Sequence, residues 1–297
     1  MNQPWASQVS EPSFLRELDR LVLARRRRFG EDSGGSPGFS TRASGLEWVG
    51  HRPYQPGDDL RYLDWHLLAR LGRPWVRRFR AGRAERLDLL IDRSRSMTLG
   101  DPPKADVASA LAFVFGYVAS SAGDRVAAAC YSDALMACLP AGRGPAHRAR
   151  VLDFLAQAPS GARTSLASSV KAFTDRITEI GRVVVLSDLL DDTAESGLMM
   201  LRERGFEVTV VRLVADCDER PRLPDRAALL VDVESGATRQ VALGPREQEL
   251  YRIELRVAAE RAARFCAGAR ISFADLRSSQ PLAHLVFRDL RTAGLLC

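Results

Sequence analysis

From Arg86 onward, short apolar runs alternate with longer helical segments, and this alternation constrains the fold more than any other property of the chain. Leu87–Ile91, Arg125–Tyr131, Val183–Leu186, Val208–Val214 and Ile271–Ala274 read as buried strands, with Leu135–Leu139 as a further one. Ala105–Ser121, His147–Ala158, Leu166–Ile177, Glu195–Arg204, Arg246–Ala267 and Leu282–Ala293 read as helices. Strands alternating with helices argue for mostly parallel pairing, because a helical crossover can return the chain to the same end of the sheet. The expected fold is therefore α/β, a doubly wound and mostly parallel sheet with helices on both faces. Leu229–Val233 and Thr238–Leu243, parted by Glu-Ser-Gly-Ala, predict a hairpin.

The first 85 residues have another character. Phe14, Leu15, Leu18, Leu21 and Val22 recur at helical spacing, predicting a helix over residues 11–29 that ends on Arg25–Arg28. A Gly- and Ser-rich loop follows. Between Trp48 and Arg80, Leu60, Leu63, Leu67, Leu68 and Leu71 outline a helix face, with Asp58 or Asp59 placed to cap it. Trp75–Arg80 alternates like a strand. The expected division is an N-terminal helix with a small β-rich extension over residues 1–85, then the α/β domain over 86–297. The charge follows the same division. Residues 1–85 carry 15 arginines against 10 carboxylates, whereas 86–297 carry 28 basic and 27 acidic residues. The basic excess thus belongs almost wholly to the extension, which carries +5 of the net +6, rather than being that of a general polyanion binder.

Other classes are disfavoured. The run from Val107 to Gly123 is uncharged but contains Gly116 and three serines, and it falls short of the roughly 20 apolar residues of a membrane span. The N-terminus shows no basic start followed by an apolar stretch, so no signal peptide is expected. Five scattered cysteines without a C-x-x-C pair suit a reducing, cytoplasmic setting, and four histidines lack zinc-ligand spacing.

The stretch that carries chemistry is Leu89-Leu90-Ile91-Asp92-Arg93-Ser94-Arg95-Ser96-Met97. An apolar strand runs directly into Asp-x-Ser-x-Ser, at the carboxyl end where open α/β sheets bind ligands. Spacing by two lets Asp92, Ser94 and Ser96 converge in one turn. Their oxygens are hard ligands suited to Mg²⁺ or Mn²⁺ rather than zinc. Thr164, in a glycine loop before a helix, and Asp188, ending the strand Val183–Leu186, could each bring an oxygen to the same edge. Alone, the motif could equally be a turn whose side chains bond nearby amides. Arg93 and Arg95 flank the ligands. Facing the cation they would oppose it; facing outward they would favour an acidic partner.

These five positions together resemble the metal-ion-dependent adhesion site of von Willebrand factor A-type domains, a Rossmann-type fold. The resemblance implies that Ser94, Ser96 and Thr164 bind Mg²⁺ (or Mn²⁺) directly and that Asp92 and Asp188 bind it directly or through water. It also implies that an acidic residue of a client protein completes the shell. Upstream, the block from Arg52 to Arg70, with Tyr54, Gly57, Asp58, Asp59, Arg61, Asp64 and Trp65, is similar to the signature of the domain of unknown function fifty-eight family. In that family the block precedes a von Willebrand factor A-like domain, and the resemblance implies a MoxR-type AAA+ ATPase as partner. The alternating charges of the block read either as an internal salt-bridge and capping network or as a docking surface.

The functional expectation is a non-enzymatic, metal-dependent protein-interaction module, an adaptor or co-chaperone of such an ATPase. No Walker-type phosphate loop occurs, so ATP chemistry would belong to the partner. Two alternatives remain. One is a metal-dependent hydrolase or phosphatase, although Ser94 stands where a haloacid-dehalogenase-like site needs its second acid. The other is nucleic-acid binding through Arg25–Arg28, which no interleaved aromatic residue supports. Gly34–Gly38 fits Gly-x-Ser-x-Gly but lacks the strand before and helix after that a nucleophile elbow needs.

Overall fold

The computed structural model describes residues 4–24, 46–56, 58–59, 63–81, 85–219, 227–242 and 244–297. They form two compact units: Met1–Arg25 with Glu85–Cys297, and Arg26–Ala84. The N-terminal 25 residues thus group with the large unit, and the small unit begins after them. Arg25–Arg28, Gly34–Gly38, Gly57 and Arg61 lie outside the described residues.

The N-terminal segment forms two short helices, α1 (Pro4–Val9) and α2 (Pro12–Leu18), instead of the single helix expected over residues 11–29. The reason is a competing partner for the backbone. Val22 and Cys297 exchange backbone hydrogen bonds of 3.1 and 2.9 Å, and Ala24 donates to Leu295 at 3.0 Å. Trp5, Val9, Phe14, Leu18, Leu21 and Leu23 are buried in the core of the large unit, whose hydrophobic contact outweighs continued helix.

In the small unit, β1 (Leu46–Pro53) pairs antiparallel with β2 (Trp75–Ala81). The register shifts between Trp48 and Gly50, where Gly50 takes φ 139°, a backbone angle that side-chain-bearing residues avoid. Between these strands lies α3 (Trp65–Leu71). It starts later than the leucine spacing predicts. Leu63 instead bridges to Val76 and is buried, and Asp64 is the cap, accepting from the amides of His66 and Leu67 at 3.1 Å each. Neither Asp58 nor Asp59 caps the helix.

The large unit continues with β3 (Arg86–Asp92), α4 (Lys104–Ser121), β4 (Arg125–Tyr131), β5 (Leu135–Gly142), α5 (Pro145–Ala156), α6 (Leu166–Thr174), β6 (Arg182–Ser187), α7 (Ala194–Glu203), β7 (Glu207–Val214) and α8 (Asp216–Glu219). The hairpin β8 (Ala227–Val231) and β9 (Thr238–Ala242), then α9 (Pro245–Gly268) and β10 (Ser272–Arg277), follow. A closing helical stretch runs from Leu282 to Thr292 through a π-helical Leu285–Asp289. The central sheet has the order β10-β7-β6-β3-β4-β5. All neighbours are parallel except β5, which runs antiparallel to β4 along the edge.

Alternation along the strands feeds two cores, one per face. Leu87, Leu89 and Ile91 of β3 join Val184 and Leu186 of β6 in the core under α4 and α5. Leu90, Val183 and Val185 join α6 and α7 in the other core. The fold is α/β with a mixed, mostly parallel sheet covered on both faces. The strand order also fixes where a crevice opens. The chain leaves β3 toward β4 on one side and leaves β6 toward β7 on the other, so the loops after β3 and β6 diverge. Such a reversal leaves room for a ligand at the carboxyl ends of the two strands.

Candidate metal centre

Asp92 closes β3 and Asp188 follows β6, so the two carboxylates stand on either side of that crevice. Asp92 is fully buried. One of its oxygens accepts from the Ser94 amide at 2.9 Å and the other from the Ser187 hydroxyl at 2.6 Å. Burial, and then the negative charge of Asp188, push its pKa up to about 7. The Tyr131 hydroxyl is buried at the end of β4 and has no hydrogen-bond partner among the described residues. Burial, then the field of Asp92, pushes its pKa well up as well.

Ser94 and Ser96 turn back on each other, their hydroxyls hydrogen-bonded at 3.0 Å, and both are buried. That spacing suits two neighbouring ligands of one octahedral cation, whose bonds of about 2.1 Å at right angles place adjacent oxygens about 3 Å apart. The chemistry of the set therefore fits a hard divalent ion: two hydroxyls at ligand spacing, and a buried carboxylate that a nearby cation would hold ionised. Among the described residues no group of three or more His, Cys, Asp or Glu side chains converges to hold a metal, so any cation here depends on the hydroxyls.

Asp188 has a different neighbour from the one expected. The ammonium of Lys104, at the start of α4, is completely buried, 2.8 Å from Asp188 and 2.9 Å from Asp218. One of the two carboxylates assigned to a cation thus already has a positive charge beside it. Lys104 went unnoticed in the sequence, although it had a signal. Only two lysines, Lys104 and Lys171, occur among 43 basic residues. Lysine here supplies a compact ammonium whose donors reach two carboxylates at once.

Arg93 faces neither a cation nor solvent. It turns into the protein, donating to the Ser109 hydroxyl at 3.2 Å and to the carbonyls of Ala105, Ala158 and Pro159 at 3.3–3.4 Å. Its own carbonyl accepts from the Gly161 amide at 2.8 Å. A side chain at Gly161 would collide with Ser132, whose oxygen would lie 2.3 Å from the added carbon, so only glycine permits this approach. Arg93 therefore fastens the Thr164 loop beside the Asp92 loop. Arg95 is exposed.

Thr164 bonds to a residue the sequence did not single out. Glu234, at the tip of the β8–β9 hairpin, accepts from the Thr164 hydroxyl at 2.8 Å and from its amide at 3.0 Å. No local pattern marks Glu234 as functional; its sequence context is that of a turn. Only the tertiary placement of the hairpin reveals it.

The charged block of the small unit forms local pairs. Arg52 grips Asp58 through its two terminal guanidinium nitrogens at 2.7 and 2.5 Å, and Asp58 also accepts from the Gln55 amide at 2.9 Å. The Arg52 hydrogen bonds hold the Asp58 carboxyl below its usual range. Asp64 meets His51 at 2.9 Å while capping α3. The Tyr54 amide donates to Pro74 at 3.0 Å. Trp65, Asp59 and Arg70 are exposed, Arg70 in the last turn of α3.

Comparison with known proteins settles the family. Residues 50–263 match the model described as "Protein of unknown function DUF58". The chain belongs to the DUF58 family. Uncharacterized proteins of Mycobacterium tuberculosis (Rv1480) and Mycobacterium bovis (Mb1516) are each 30% identical over 248 residues, covering 80% of this chain and 76% of theirs. Among solved structures, BatB from Bacteroides thetaiotaomicron aligns with a TM-score of 0.42 at 13% identity, covering 71% of this chain and 98% of that one. An aerotolerance-related membrane protein from Bacteroides fragilis aligns with a TM-score of 0.40 at 15% identity, covering 70% and 100%. Among the described residues of this DUF58 chain, no helix is long and apolar enough to cross a membrane.

Proposed function

We propose that this DUF58 protein is a non-enzymatic, divalent-cation-dependent protein-interaction module of von Willebrand factor A type, acting in the cytoplasm. The observation that carries the reading is the Ser94–Ser96 hydroxyl pair, 3.0 Å apart beside Asp92, at the point where the loops after β3 and β6 diverge. Ser94, Ser96 and Thr164 would hold Mg²⁺ or Mn²⁺, with Asp92 and Asp188 behind them. The cation would supply a Lewis-acidic position for a partner's carboxylate. The chain's own residues do the positioning: Arg93 fixes the loops, and Ser187 and the Ser94 amide orient Asp92. The partner that family resemblance favours is a MoxR-type AAA+ ATPase, with an acidic residue of the ATPase or its client at the cation.

Binding of the purified chain to the MoxR-type ATPase of the same organism, measured in Mg²⁺ and in EDTA, tests this. Capture that requires Mg²⁺ and is lost in Ser94→Ala is expected; capture indifferent to both counts against it. A metal-dependent hydrolase is the second reading, with the Asp92 carboxylate beside the Ser94 and Ser96 hydroxyls as its candidate site. Phosphatase or esterase turnover with Mn²⁺, abolished in Asp92→Asn, would establish that alternative.

A further inference from the structure

The β8–β9 hairpin stands apart from the rest of the large unit in how it is held. Among the described side chains of the hairpin, Leu229, Leu230 and Val231 are exposed and bury no apolar surface that would fix it in place. Its tip, by contrast, is tightly built. The Asp232 carboxylate accepts from the amides of Glu234 and Ser235 at 2.9 and 2.7 Å, and these bonds hold its pKa below the ordinary carboxylate value. The Asp232 backbone bonds to Gly236 and Ala237 at 2.9 and 2.8 Å, with Gly236 at φ 71°. A rigid turn on a weakly packed hairpin has one evident consequence: it aims the Glu234 side chain. That side chain reaches across 70 residues of sequence and takes both polar groups of Thr164.

We infer that Glu234 is a positioning residue of the cation site, and that the β8–β9 hairpin is a strap whose closure completes that site. The inference deepens the proposed function and rests on its cation. Thr164 donates its hydroxyl proton to Glu234 at 2.8 Å, and this bond leaves the oxygen's lone pairs for a cation and makes them more electron-rich. The same carboxylate fixes the loop through the Thr164 amide. Glu234 also adds a negative charge to a site where Lys104 already offsets part of the charge of Asp188. The strap and the cation therefore favour each other: closure orients Thr164, and a bound cation favours the carboxylate beside it.

The test is Mn²⁺ titration of the full-length chain, wild type against Glu234→Gln and Glu234→Asp, with hydrogen exchange of residues 227–242 followed with and without Mn²⁺. Glu234→Gln keeps the size of the side chain and leaves the thermal midpoint unchanged. Its Mn²⁺ affinity should fall by roughly 10–100-fold, the usual loss when a group behind a metal ligand is removed. Glu234→Asp should recover part of it. In the wild type Mn²⁺ should slow exchange across the hairpin, and in Glu234→Gln that response should disappear. Unchanged affinity in Glu234→Gln, alongside loss of binding in Ser94→Ala, overturns the role of Glu234 and leaves the cation site standing. Hairpin exchange indifferent to Mn²⁺ in a wild type that binds it overturns the strap. A wild-type chain that binds no Mn²⁺ contradicts both this inference and the function it rests on.

Discussion

The small unit and the sheet edge of the large unit use the same kinds of charged residue in opposite ways. In the small unit, Arg52 and Asp58 pair near the surface, where water screens them and the pair adds little to stability. At the sheet edge, Lys104 is completely buried between Asp188 and Asp218, Arg93 is turned into the core, and Asp92 is sealed with both oxygens bonded. Buried charges are costly to desolvate, and apolar residues of similar size often stabilise as well. Buried charges occur elsewhere too, as in the Arg182–Asp124 and Arg86–Asp88 pairs, but those are opposite charges in contact; at the crevice Asp92 is buried beside another carboxylate, which marks a candidate site.

That contrast can be broken at several points. Lys104→Met should have the largest effect, because it leaves Asp188 and Asp218 without their counter-charge. A loss of about 3–5 kcal/mol is expected in denaturant unfolding, partly restored by Mn²⁺ if a cation can take over beside Asp188. Recovery absent at saturating Mn²⁺ would make Lys104 a purely structural charge.

Next comes Asp92. Its pKa rises from 3.8 to about 7 on folding, so between those values the folded chain holds a proton that the unfolded chain has lost. The contribution of Asp92 to stability in EDTA should therefore be fully present below about pH 4 and be lost, by a few kcal/mol, as pH rises through 7. Asp92→Asn should flatten that slope in urea titrations repeated across the pH range. A wild-type profile that is level from pH 4 to 7 contradicts the burial argument.

Arg93→Ala removes hydrogen bonds between a charged group and buried acceptors and should cost roughly 1.5–3 kcal/mol. It should also speed amide exchange in residues 158–165, which Arg93 fastens. Arg52→Ala should change the thermal midpoint least of all. A shift as large as that of Arg93→Ala would mean that the small unit's surface pair has a structural role like the buried ones.

The contrast also explains what was legible in the sequence. The strands and helices after Arg86 were readable because apolar runs such as Val183–Leu186 must be buried on both faces. Asp92 and Asp188 were readable as neighbours because both end such runs, and the family block between Arg52 and Arg70 was long enough to be recognised. The N-terminal helix stops at Leu18, short of the span its spacing predicts, because the backbone beyond it finds a partner near Cys297, far away in sequence. The cap of α3 was misplaced because Asp58, Asp59 and Asp64 are equally good caps locally, and the choice depends on Leu63 bridging to Val76. The neighbours of the site's oxygens were hidden for the same reason. Lys104 lies 84 residues from Asp188, and Glu234 lies 70 from Thr164. Nothing in short-range spacing announces such contacts.

The central claim is that the hydroxyls after β3 hold a divalent cation. Calorimetric titration of the full-length chain with Mn²⁺, compared with Ser94→Ala, tests it most directly. The wild type should bind a single ion saturably, and the variant should lose that binding at an unchanged thermal midpoint. Identical heats in the two proteins, or no binding by the wild type, would contradict it.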